Sequence, residues 1–148
     1  MLPTNYRIHC LQMMGLASVA WAVLDIHHYF AWDADGGGIP ASQCDTADNL
    51  AAFVKRGMTA WISNVTATAS AYSIDNVACS EWALSLHHTD LIAPCALDQP
   101  TAVDVMYSAQ KDAFAAAGMS NFMWGWRMPM GGAHEPFWSM KLHLTGQH

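Results

Sequence analysis

Basic residues are scarce: three lysines and three arginines in the whole chain, with no run longer than the Lys55-Arg56 pair. Without a basic patch there is no footprint for a polyanion, so neither nucleic acid nor an acidic membrane surface is an expected partner. The four cysteines, at 10, 44, 79 and 95, include no Cys-x-x-Cys spacing. That excludes a zinc ribbon and a thioredoxin-type redox motif. Glutamate is rarer still. Of the twelve acidic residues, ten are aspartates and only Glu81 and Glu135 are glutamates. No apolar run reaches the roughly 20 residues needed to span a bilayer. The best candidate, 11–24, is interrupted by Gln12, bounded by Asp25 and followed by no small-residue cleavage site. It reads as helix followed by strand. For a secreted protein, that reading expects the front of the gene product to lie upstream of Met1.

What is present is a core-forming composition. Over half of the 148 residues are hydrophobic and 12% are charged, which suits one folded domain and argues against disorder. Cys44 and Cys95 sit in polar, loop-like stretches and are candidates to pair in an oxidising compartment, whereas Cys10 and Cys79 look buried. Asn64-Val65-Thr66 is a glycosylation triplet, a motif that also arises often by chance.

The pattern alternates helix and strand. Residues 3–16 read as a helix with Pro3 and Thr4 near its start and Gly15 near its end. The short apolar run 19–26 suits a strand buried on both faces. A turn-rich loop at 33–46 follows, then helical periodicity over 47–71 through Leu50, Phe53, Val54, Trp61, Ile62 and Val65, with Asp45 or Thr46 as N-cap. A second strand is expected at 74–80, a loop with His87, His88, Asp90 and Cys95 at 86–100, and a helix at 101–117 ended by Gly118. A third strand at 121–126 and a short helix at 136–144 close the chain. Strands separated by helices in this order predict an α/β fold with a parallel sheet and right-handed crossovers, the strand at 74–80 being central. No repeat, linker or second domain is visible, so residues 1–148 are read as one unit.

Chemistry gathers at the three strand ends. With side chains alternating, Asp25, His27 and Tyr29 share one face of the first strand and His28 the other. On the second, Val77, Cys79 and Glu81 are expected to share a face with Trp82 turned away; on the third, Phe122, Trp124 and Trp126 align. A carboxylate, a His/Tyr pair and indole rings at one mouth are groups that grip and cleave a sugar. An ionised carboxylate can attack an anomeric carbon, a phenol can hold it, and an indole face stacks on a pyranose. A lone strand-end glutamate is more often structural, and the three motifs together raise the functional reading. His27-His28 and His87-His88 are not expected to bind metal, because adjacent strand histidines diverge and the neighbouring Cys and Asp lack ligand spacing. No cofactor is expected either. Trp21, Trp61, Trp82 and Trp138 read as packing, Met13, Met14, Met58 and Met106 as core filler, and Met128 and Met130 as residues of the cleft rim.

Asp25-Ile26-His27-His28-Tyr29, Ser80-Glu81-Trp82 and Trp124-Gly125-Trp126-Arg127 resemble the last three strand-end motifs of glycoside hydrolase family 5. The likeness is nearest to its exo-β-1,3-glucanase branch, where Cys44-Asp45-Thr46-Ala47-Asp48-Asn49 also resembles the segment after the His-x-Tyr strand. It covers nearly all of this chain but only the C-terminal part of the family domain. The resemblance implies a partial (β/α)8 TIM barrel, its last three βα units, and retaining hydrolysis of β-glucan or an oligosaccharide in an extracellular or cell-wall setting. It implies Glu81 as nucleophile with Tyr29 beside it as a catalytic contact, and His27, His28, Trp124 and Trp126 as the substrate-binding set. The family's acid/base glutamate belongs to an Asn-Glu motif on an earlier strand with no counterpart here. Glu135, in His134-Glu135-Pro136, follows the last strand and does not inherit the role. The expectation is therefore a truncated glycosidase with little or no hydrolysis by residues 1–148 alone, the alternative being a non-catalytic glucan-binding remnant.

Overall fold

The computed structural model describes residues 23–32, 38–87, 95–126 and 135–146. The expected helix at 3–16, the first half of the first strand, His88, Asp90, Met128 and Met130 lie outside the described residues. Within them the order is β1 (Leu24–His27), α1 (Ala47–Ala71), β2 (Val77–Trp82), α2 (Gln99–Ala117), β3 (Ser120–Met123), α3 (Glu135–Trp138) and α4 (Met140–Thr145), with single 3-10 turns at Phe30–Trp32 and Ala41–Gln43. The three strands form one parallel sheet in the order β1-β2-β3, so β2 is central as its sequence implied.

Local chemistry explains where the helices begin and end. The Thr46 hydroxyl accepts from the Asn49 backbone N–H and caps α1. Asp98 does the same for Thr101, which starts α2 two residues earlier than its periodicity suggests, with Pro100 tolerated in the first turn. Gly118 ends α2 in the left-handed conformation, φ 61°. The end of α1 shifts the following strand. Ser73 takes φ 56°, Ser73 N–H returns to Ser70 O, and Ile74 N–H returns to Ala69 O. These paired bonds are the helix-terminating motif in which the residue after the left-handed position packs back on the helix. Ile74 therefore buries against Val65 and Ala69 instead of opening β2, which starts at Val77. The single helix expected at 136–144 is divided at Ser139, whose hydroxyl caps α4 by accepting from Leu142 N–H.

Both long helices cover one face of the sheet. Leu24 and Ile26 of β1 meet Val65 and Ala69 of α1. Cys79 and Trp82 of β2 join Leu50, Val54 and Met58 of α1 and Met106 and Phe114 of α2 in the main core. Trp82 is fully buried against Tyr107 and Phe114, which agrees with its reading as a packing residue. Cys44 and Cys95 are disulfide-linked with Cα atoms 5.1 Å apart, tying the loop before α1 to the one before α2.

His28 departs from its expected role. It was a candidate substrate contact, yet its ring is 6% exposed, lies against Trp61 at 4.7 Å between centroids and meets Phe30 edge-on. The same alternation that turns His27 toward the open face turns His28 under α1, where it is a core group. Burial lowers its pKa from 6.5 to about 4. Between these values the unfolded chain binds a proton that the folded chain refuses, so stability falls as pH drops. The fully developed loss is roughly 3 kcal/mol. Urea unfolding followed from pH 7 to pH 4 should show this decline. His28→Phe, which keeps the ring packing, should flatten it.

Candidate functional site

The other face of the sheet carries the polar residues, and a register slip aims them. Residues paired across parallel strands point to the same side. Leu24 pairs with Val77, Asp25 with Ala78 and Ile26 with Cys79, but His27 pairs with Glu81, so β2 contains one extra residue. The slip recurs against β3, where Cys79 faces Asn121 and Trp82 faces Met123. A bulge of this kind places two consecutive side chains on one face. Ser80 and Glu81 both lie on the open side, while Cys79 before them and Trp82 after them enter the helix layer. The alternation expected from sequence, with Val77, Cys79 and Glu81 on one face, is therefore corrected: Val77 and Cys79 pack inward and only Glu81 reaches the site.

Glu81 is held at one oxygen. Tyr29 Oη donates to Glu81 Oε2 at 2.8 Å, and His27 Nδ1 lies 3.0 Å from the same oxygen. Oε1 takes neither contact. Burial, the hydrogen bond to Glu81 and the carboxylate's charge all push the Tyr29 phenol well above its ordinary value, so it stays a proton donor to the carboxylate. Behind His27 stands Asp25, with Oδ2 at 3.5 Å from His27 Nε2. Asp25 is itself fixed by Ser80, whose hydroxyl donates at 2.7 Å and whose backbone N–H donates at 3.1 Å. The bulge residue thus anchors the aspartate that backs the histidine that holds the glutamate. Asp25 was placed on the right face by sequence but given no part in the site.

Aromatic rings surround this network. Trp124 continues the sheet through its N–H to Trp82 O at 2.7 Å, then Gly125 turns the chain at φ 85°, where an added Cβ would lie 2.6 Å from Trp138 O. Phe122, Trp124 and Trp126 are 64%, 49% and 64% exposed, an uncommon expense of apolar surface. Two further tryptophans belong here. Trp32 meets Tyr29 edge-on at 4.9 Å, and Trp138 lies 5.7 Å from Tyr29 and 5.6 Å from Trp32. Sequence reading gave Trp138 to packing, and it does pack against the main core while also meeting Tyr29; it passed over Trp32. The turn Phe30–Trp32, closed by Trp32 N–H to Tyr29 O, is the local signal that brings Trp32 back beside Tyr29.

Cys79, although next to this site, is no nucleophile. Burial pushes its thiol up to about 12 and its Sγ donates to Glu81 O at 3.3 Å. A cavity of about 780 Å³ lies elsewhere, between α1 and α2, lined by Ala51, Ile62, Val105, Ala109 and Ala113 and by none of the residues around Glu81. The exposed sheet face, not that groove, carries the convergent polar groups. Among the described residues no group of three or more His, Cys, Asp or Glu is arranged for a metal ion, and no helix is long and apolar enough to cross a membrane. No family model, curated protein or solved structure matches this chain.

The bulge can be tested apart from any activity. Ser80→Ala removes the hydroxyl bond to half-exposed Asp25 and should cost about 1 kcal/mol in urea unfolding. Deleting Ser80 removes the extra residue but keeps Cys79 inward, Glu81 outward and Trp82 inward by plain alternation. Asp25 then loses both the hydroxyl and the backbone N–H bond, so the loss should be about twice that of Ser80→Ala. Equal losses for the two variants would show that the Ser80 N–H does not help to hold Asp25.

Proposed function

We propose that the chain is the last three βα units of a (β/α)8 barrel of the glycoside hydrolase family 5 type, its open sheet face forming one wall of a β-glucan site. The observation that carries this reading is the double hold on Glu81 Oε2 by Tyr29 and His27. A carboxylate steadied at one oxygen presents the other to an anomeric carbon without a rotamer search. With both contacts on Oε2, Oε1 is left for attack, the position a nucleophilic carboxylate in a retaining glycosidase needs. Attack by Oε1 would form the glycosyl-enzyme bond as the glycosidic C–O bond breaks. The Tyr29 oxygen, its proton committed to Glu81, keeps lone pairs that can accept from a sugar hydroxyl. Trp124, Trp126 and Trp32 offer exposed indole faces for successive sugar rings.

The leaving oxygen needs a proton, and retaining chemistry sets the donor carboxyl about 5–5.5 Å from the nucleophile. Asp25 is the carboxylate joined to Glu81 through His27, but its oxygens are occupied by Ser80 and by that histidine. It serves as a positioning group, and the acid would come from another strand. The second reading, a glucan-binding remnant, is favoured by the exposed tryptophans, which need no acid to stack on a sugar.

Both readings require binding, and only the first requires turnover once the acid strand is supplied. The purified chain should be retarded by laminarin in a native gel yet release little or no glucose. Trp124→Ala should weaken retardation by about tenfold, near 1.4 kcal/mol, while Glu81→Gln should leave it nearly intact. Absence of any retardation would defeat the glucan site. Turnover by the chain alone at the rate of a full-length glucanase would defeat the assignment of an absent acid.

A further inference from the structure

Asn64-Val65-Thr66 is the single Asn-x-Ser/Thr triplet in the chain, and nothing in the glucan reading uses it. The fold gives it a definite setting. On α1, Ile62 and Val65 are buried while Ser63 and Asn64 face solvent. The Asn64 side chain is engaged through its oxygen: Oδ1 accepts from Thr68 Oγ1 at 3.3 Å. Because α1 covers one face of the sheet and Glu81 lies on the other, a bulky group on Asn64 leaves the tyrosine-held carboxylate open. Asn64 also stands clear of the residues lining the cavity between α1 and α2.

An independent observation concerns the compartment. The Cys44–Cys95 disulfide joins positions 51 residues apart, and such bonds persist in oxidising surroundings such as the endoplasmic reticulum and the exterior. The remaining cysteine among the described residues, Cys79, is buried and so is shielded from mispairing. The compartment that forms this disulfide is also the one in which asparagine amides of exposed triplets are glycosylated.

We propose that Asn64 is a modification site carrying an N-linked glycan. The donor class is a lipid-linked oligosaccharyl diphosphate. Asn64 Nδ2 bonds to the anomeric carbon, the bond from that carbon to the phosphate oxygen breaks, the lipid diphosphate leaves and one Nδ2 proton passes to a base of the transferase. Timing follows from geometry. In the folded helix Thr66 Oγ1 donates to Ile62 O at 2.7 Å, so the hydroxyl of the triplet is committed to the backbone. Transfer therefore precedes completion of α1, and the solvent-facing position of Asn64 then lets the helix form with the glycan attached. This inference does not rest on the role of Glu81.

The test is translation of the full chain, behind an added cleavable signal, with microsomes that carry out glycosylation. The chain should gain the mass of one glycan, lose it to an endoglycosidase, and show no gain in Asn64→Gln or Thr66→Val. Its Cys44 and Cys95 should resist alkylation until reduced, with or without the glycan. A translocated, signal-cleaved chain of unchanged mass would overturn the proposal. So would a gain that persists in Asn64→Gln, or a glycosylated chain whose Cys44 and Cys95 remain open to alkylation.

Discussion

One extra residue in β2 decides what the sheet can do. Strict alternation would commit Val77, Cys79 and Glu81 to the same side, which is the side the helices cover. A carboxylate there would lack partners, and Trp82 would be driven onto the open face. The slip at Ser80 reverses both outcomes in a single step: Trp82 fills the core between Tyr107 and Phe114, and Glu81 meets Tyr29 and His27. Burial of a large indole drives the geometry that presents the acid. The unpaired residue is also used, since Ser80 binds Asp25 through both its hydroxyl and its N–H.

Charge is distributed along the same division. On the covered face, His28 is pushed toward its neutral form and Cys79 toward its thiol, because burial penalises each charged state. On the open face a carboxylate, an imidazole and a second carboxylate stand in sequence from Glu81 through His27 to Asp25. Tyr29 lies between these worlds, part-buried among Trp32 and Trp138 with its hydroxyl on Glu81.

Sequence reading succeeded where local rules and the observed packing agree. The bounds of α1 follow from its apolar period and its Thr46 cap, and Gly118 marks the end of α2. The parallel order, the central β2 and the convergence of Tyr29 with Glu81 follow from alternation on β1 and the spacing of helices. Reading failed where one signal served two purposes. Ile74 looks like a strand residue because it is apolar, but it caps α1. Ser80 carries no glycine or proline to announce a bulge, so the faces of Val77 and Cys79 were misassigned. His28 shared the motif of His27 and was given a share of its role, although one residue's offset sends it to the core. Trp32 was missed because a 3-10 turn, which sequence period does not reveal, returns it to Tyr29.

The proposed role of Glu81 as a poised nucleophile on the open face can be separated from the supply of an acid. A 2-deoxy-2-fluoro-β-glucoside with a dinitrophenolate leaving group departs without a general acid, and its fluorine slows hydrolysis of the glycosyl-enzyme. Incubation of the chain with this compound, followed by peptide mass spectrometry, measures the attack alone. The account predicts one added fluoroglucosyl group, located on Glu81 and absent from Glu81→Gln. An unlabelled chain that still binds glucan, or a label on any other residue, would contradict it.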